Sequence, residues 1–485
     1  MKRCLFKVFA VFLFIGVSPA WLYGAEFLHA FPHSAYHELM SGGQPVGKTS
    51  FNWGHQKGLY HFVENSMMKV KLFKKEYLIE TKLQVYTNPQ LEVQKFVYYM
   101  LSPDSKLEVK GTRVGSNIRL EKIQSGSKQL KYVPIQEPML MSPLIRPFLL
   151  MKKLPLGKKK EENFNALLLE PSAFKTLPMN LKVKQTPSKK KKLWELAVSY
   201  LGHVMTSRID QEGRLLSENT DLGGLKIVAK PIMAKTYAHV KITGTKQDLV
   251  EWTKVPYGDI PNARTRKELK VKISGFAYQN FQLNRHRQSL KGNALTIRVE
   301  KIPTKTEPAQ SLVGKKEFEH YLAVDIAVPV YNPIIQKTAS KIIGKENDLW
   351  KRALLIHKFV YSHLKNDPYI SLPDALEALE TGEGDCNEHS VLYTALARAA
   401  GVPARIVVGL VYANDGSGHA GFYYHAWVEV YTGNEWIAID PTWDQVPADA
   451  THIAFVEGGV DEQIQIAALM GKIKLSSVHG SAAVR

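Results

Sequence analysis

Three residues of types that carry acyl-transfer chemistry follow one another along the chain: Cys386, His425 and Asp440. The chain has two cysteines, and Cys4 falls within an N-terminal stretch that reads as a removable export signal. Cys386 is then the only thiol of the mature protein. A lone thiol cannot close an internal disulfide, so crosslinking is excluded as its purpose. It is either a small buried hydrophobe or a nucleophile served by a histidine and a carboxylate further along. The second reading accounts for more of the surrounding pattern.

Cys386 is expected to open a helix. Leu392, Ala395, Leu396 and Ala399 follow at helical spacing, and Gly401 with Pro403 marks the stop. A cysteine in a first turn faces unsatisfied backbone N–H groups and the positive end of the helix dipole, which is expected to lower its pKa. Gly382 and Gly384 allow a close backbone approach just upstream. The residues Tyr423 to Tyr431 and Trp436 to Asp440 read as two strands joined through Thr432-Gly433-Asn434-Glu435. A turn centred between Thr432 and Gly433 would set His425 directly opposite Asp440, close enough for a carboxylate to bond one ring nitrogen. By the period of two, Trp427 and Glu429 share the His425 face, while Ala426, Val428 and Val430 point to the core.

Four motifs in this order carry a resemblance to a known family. They are Gly-Asp-Cys-Asn-Glu-His at 384–389, Ala-Arg-Ala-Ala-Gly-Val-Pro-Ala-Arg at 397–405, His-Ala-Trp-Val-Glu at 425–429 and Asp-Pro-Thr at 440–442. Over roughly residues 330–460 the chain resembles the bacterial transglutaminase-like superfamily. The resemblance implies Cys386 as nucleophile, His425 as base and Asp440 as orienting acid, in a papain-like α+β domain. It further implies an acyl-thioester on Cys386, with the Cys386 N–H at the oxyanion and no cofactor. Peptide or amide hydrolysis is the expected outcome, and an amine as acceptor would give transamidation. A non-catalytic binding module on the same fold is the rival reading. A metal set drawn from Cys386, His389, His419 and His425 lacks the dense spacing of a ligand cluster, so no metal site is expected. Residues 235 to 330 are similar, more weakly, to the β region that precedes this domain in larger relatives.

The remaining length needs more than one core. Residues 1–25 carry Lys2, Arg3 and Lys7, an apolar stretch and small residues at Ala20 and Ala25, so they are read as a signal peptide. A periplasmic or extracellular location is expected, with no transmembrane segment in the mature chain. Residues 26–235 show strand patterns broken by turns at hairpin intervals, a β-rich meander or partial barrel with a basic insertion at 143–192. Residues 236–325 read as a β-rich intermediate domain, and 326–485 as the catalytic domain. The fold class is thus α+β and multidomain.

The net charge is +19, and losing Lys2, Arg3 and Lys7 leaves +16. Much of the excess lies in Lys152-Lys153, Lys158 to Lys160 and Lys189 to Lys192, which are solvated loops or attract an anionic envelope or membrane surface. These runs have no interleaved aromatics, and nucleic acid is not an expected partner. A peptide or protein amide is the expected substrate.

Overall fold

The computed structural model describes residues 28 and 31–478 apart from 73, 104, 125–126, 153–159, 187–191, 201–202, 223–224, 305, 313, 367–372, 415–419, 460–464 and 467–468. The signal-like segment, His419 and most of the lysine runs fall outside the described residues. Among the described residues no helix is long and apolar enough to cross a membrane.

Residues 34–231 build one sheet of 15 strands. Its first half is a meander of eight strands from Ser34–Ser41 to Ser127–Pro134, and its second half returns from Leu225–Pro231 to Met139–Leu140. The halves join where Ser34–Ser41 pairs antiparallel with Leu225–Pro231. Alternation by two buries one side of each strand, as at Leu107 and Val109, Ile118 and Leu120, or Leu181 and Val183. The helix Ile145–Met151 packs Phe148 and Leu149 into the same core.

The segment 143–192 is not a loop insertion. It supplies that buried helix and two full strands, Glu161–Glu170 and Lys175–Thr186, paired with each other over ten residues. Its lysines alternate outward: Lys182 and Lys184 flank the buried Leu181 and Val183. Frequent Pro and Lys had masked a strand pattern whose apolar side is complete.

The intermediate region is likewise not packed as a separate unit. Its strands Glu268–Ser274, Gln288–Lys291 and Ala294–Arg298 form a four-stranded sheet completed by Lys474–Ser477 from the far end of the chain. One continuous core runs from Val255 through Ile273, Ile297, Ile356 and Leu392 to Leu475. Burial of shared apolar surface joins what sequence texture divides at residue 325.

The elements around Cys386 are four helices and a sheet. Helix α1 (Pro333–Ile343), α2 (Leu349–His363), α3 (Ala375–Thr381) and α4 (Cys386–Ala399) precede strands β1 (Ala404–Ala413), β2 (Gly421–Tyr431), β3 (Trp436–Ile439) and β4 (Ile453–Glu457). Strand β1 lies between β2 and β4, and β3 pairs on the other side of β2. Helix α4 is central, with Val391 to Ala397 all buried against the other helices and the sheet.

Candidate active site

Helix α4 begins at Cys386 because Asp385 caps it. The Asn387 N–H donates to Asp385 Oδ1 at 2.8 Å, and the Asp385 N–H donates to Glu388 Oε2 at 3.0 Å, a reciprocal capping box. Gly384 is required there, since a Cβ would stand 2.3 Å from Glu388 Cβ. Gly382, with φ +67°, ends α3 in the left-handed region. Cys386 is therefore held by a tight turn between two helices and keeps partial solvent access.

The β2–β3 hairpin has a register two residues away from the expected one. The Thr432 N–H donates to the Glu435 carbonyl at 3.0 Å, so the turn centres between Gly433 and Asn434. Tyr431 then pairs with Trp436 and Val428 with Ile439. His425 is not directly opposite Asp440; by continuation Asp440 comes level with Trp427. A shift of two preserves the face, because side chains alternate with that same period. The chain leaves β3 at Asp440, and His425 Nε2 still lies 2.9 Å from Asp440 Oδ2 on the diagonal.

Asp440 is fully buried, and its other oxygen accepts the Thr442 N–H at 2.9 Å. A second histidine meets the same carboxylate: His452 Nε2 lies 3.1 Å from Oδ2. Burial by itself would raise the Asp440 carboxyl, but His425 and His452 hold it well below the ordinary carboxylate range. The His425 ring is flanked by Trp443 at 4.9 Å and Trp427 at 6.3 Å, both near-parallel. Arg264 lies over Trp443 at 4.5 Å.

The thiol lies beside this pair. Helix α4 packs against β2, and both the Ala426 N–H, next along the chain from His425, and the Asp440 carboxylate act on the ionisation of the Cys386 thiol. The expected depression of the Cys386 pKa is not what the surroundings produce. Burial raises the thiol well above its ordinary value, Asp385 adds to this, and Glu388 and Asp440 act the same way against the Ala426 N–H. A helix-start dipole is a partial charge, and burial together with the neighbouring acidic groups outweighs it.

Glu429, on the His425 face, is structural. Its buried carboxylate receives Arg405 Nη2 at 2.7 Å and Arg285 Nη2 at 3.1 Å, tying β1 and β2 to the intermediate segment. His389, drawn into the rejected metal set, turns its Nδ1–H to the Asp385 carbonyl at 2.7 Å. The ligating atoms of His425, Asp440 and His452 lie within 4.8 Å of one another. Both Nε2 atoms converge at hydrogen-bond distance on one oxygen, the pattern of two N–H donors on a carboxylate.

His452, Asp449, Trp443 and Arg264 were not singled out in the sequence. His452 stands immediately before the apolar run Ile453 to Val456, and a polar residue heading a buried strand is the only local sign it gives.

Residues 336–441 match the model of the transglutaminase-like superfamily, and the chain carries a transglutaminase-like domain there. An uncharacterized protein of Haemophilus influenzae is 35% identical over 82 residues, spanning 16% of this chain and 22% of that protein. Three solved structures are similar at lower identity. A candidate cysteine protease from Cytophaga hutchinsonii has 16% identity and a TM-score of 0.30, covering 44% of this chain and 82% of its own. A β-barrel-like protein of a domain of unknown function from Brucella abortus has 10% identity and a TM-score of 0.33, covering 42% and 96%. The periplasmic domain of TgpA from Pseudomonas aeruginosa has 18% identity and a TM-score of 0.24, covering 38% and 76%.

Proposed function

We propose that the transglutaminase-like domain of this chain is a cysteine amidase or peptidase, with Cys386 as nucleophile, His425 as general base and acid, and Asp440 as the group that orients His425. One observation carries the reading: His425, on the strand packed against the helix that Cys386 opens, turns one ring nitrogen to a buried carboxylate 2.9 Å away. A plain structural cysteine has no need of an oriented imidazole.

The raised thiol pKa sets how the reaction starts. The resting sulfur keeps its proton, and His425 removes it as the sulfur attacks an amide carbonyl. Asp440 fixes Nε2 as the protonated nitrogen, which leaves Nδ1 as the base. The carbonyl oxygen takes up negative charge toward the N–H of Cys386, whose place in the first turn of α4 leaves it without an intrahelical acceptor. The proton on His425 passes to the departing amine, the C–N bond breaks, and an acyl-thioester remains. Water, losing a proton to His425, then releases the acid and restores the thiol. The signal-like segment at residues 1–25 supports an activity outside the cytoplasm.

Incubating the mature protein with a panel of envelope peptides and glutamine-containing proteins, with mass spectrometry of products, tests the proposal. Cleaved or deamidated products that vanish in Cys386→Ala support hydrolysis. Products joined to an added amine would make it a transamidase instead. A wild-type protein that turns over no amide, and whose Cys386 reacts only after unfolding, would make the domain a binding module.

A further inference from the structure

His452 has acceptors at both ring nitrogens. Nε2 faces Asp440 Oδ2 at 3.1 Å, and Nδ1 faces the Asp449 carbonyl at 3.2 Å and its Oδ1 at 3.4 Å. A neutral imidazole carries one N–H and would leave one of these contacts as lone pair against oxygen. In a side chain with no solvent exposure that mismatch is costly. Asp449 is itself fixed from outside the catalytic domain: Arg264 Nη1 lies 3.2 Å from Asp449 Oδ2. The Asp449 Oδ1 also takes Thr451 Oγ1–H at 2.6 Å and the Thr451 N–H at 2.7 Å.

We propose that His452 is a positioning residue, held as an imidazolium between Asp440 and Asp449, which fixes and charge-balances Asp440 for its work on His425. The proposal rests on the assignment of Cys386, His425 and Asp440 given above. The charged and titratable groups around His452 include Asp440, Asp449, Arg264, His425, whose ring centroid is 5.8 Å away, and Arg287, which donates to the same Asp449 carbonyl at 2.9 Å; Trp427 and Trp443 pack beside the ring. The signs alternate from Arg264 through Asp449 and His452 to Asp440. The raised pKa of His452, which these carboxylates maintain against burial, agrees with the geometry.

The consequence concerns His425. An uncompensated Asp440 anion would favour the protonated form of His425 and remove the base needed by a protonated thiol. The imidazolium of His452 cancels much of that field while leaving the Asp440 carboxylate to orient the His425 ring.

Two variants separate the effects. His452→Gln keeps a donor for Asp440 and loses the charge; His452→Phe loses both. For His452→Gln the acid limb of the kcat/KM profile should move up by about one pH unit, as expected for losing a unit charge about 6 Å from the ring in a partly screened site. His452→Phe should lose at least about tenfold in kcat with KM little changed. Nitrogen-15 NMR of histidine-labelled protein, assigned by comparison with His452→Gln, should show protons on both His452 ring nitrogens at pH 7. That readout needs no turnover and stands even if the amidase reading fails. A neutral His452 at pH 7 overturns the proposal. So does an unmoved acid limb in His452→Gln with activity falling only in step with the folded fraction.

Discussion

Lys122 Nζ, on a strand of the N-terminal sheet, lies 2.8 Å from Asp374 Oδ2, the cap of helix α3, and both side chains are at most 2% exposed. The Lys122 ammonium also donates to the Ile326 carbonyl at 3.3 Å. One turn further along α3, Glu377 accepts from Ser105 Oγ at 3.1 Å and from the Gln124 side-chain amide. Helix α3 ends at the turn that leads into Cys386. The N-terminal sheet thus bears on the helix immediately before the nucleophile.

Removing one member of a buried ion pair leaves the other charged and unsolvated. Lys122→Met should therefore destabilise the protein by about 3–5 kcal/mol in urea denaturation. The double change Lys122→Met with Asp374→Asn removes the stranded charge and should recover part of that loss. Equal stability of the single variant and the wild type would show that the contact does not form in solution.

Asp440→Asn keeps the size of the side chain and removes the anion shared by two imidazoles. Turnover should fall by roughly 10²–10⁴-fold, with near-ultraviolet circular dichroism showing an intact fold. Acid should act in the same direction. A carboxyl held well below its ordinary pKa contributes stability that is present above about pH 4, the unfolded value, and lost as pH falls through the folded one.

The Cys386 thiol should be slow where a dipole-activated thiolate would be fast. A raised pKa leaves less thiolate at a given pH, so native Cys386 should react with iodoacetamide more slowly than a model thiol at pH 7, gaining rate above about pH 9. The unfolded chain releases this proton first, so the Cys386 contribution to stability should decline as pH rises past about 8.5. Labelling at pH 6 faster than a model thiol would mean that the resting enzyme holds a thiolate–imidazolium pair.

Gly409 of β1 pairs with His425 on one side and Ala454 on the other. A Cβ there would stand 1.9 Å from the Ile453 carbonyl oxygen and 3.0 Å from the Trp427 ring. Gly409→Ala should cost about 1–3 kcal/mol or more through overpacking, measured as a lowered unfolding midpoint. Turnover should drop more than stability, since one displaced strand carries His425 and the other begins directly after His452.

The lysine runs lead to a prediction drawn from charge alone. At low salt the mature protein should bind anionic vesicles and release as ionic strength rises, and changing Lys189 to Lys192 to serine should weaken this without altering small-peptide turnover. Binding insensitive to salt would return the lysines to plain solvated surface.

Local chemistry made a good part of the site legible from sequence. Glycines and helical spacing marked Cys386 as a helix start, and alternation by two put His425, Trp427 and Glu429 on one face, as observed. Alternation fixes a face but not a partner. The hydrogen bond from Thr432 to Glu435 decided the register, and Asp440 reached His425 on a diagonal that periodicity does not specify. Strand pairing was needed to bring His452 to the same carboxylate, because β4 joins the sheet through β1 rather than through its neighbours in sequence. The direction of the thiol pKa was decided chiefly by burial, which only packing supplies, with Asp440 brought from the hairpin to join Asp385 and Glu388 beside Cys386 in sequence. The anchoring of α3 by Lys122 is likewise tertiary: a lysine on an alternating strand reads as solvent-facing until another part of the chain buries it and supplies the opposite charge.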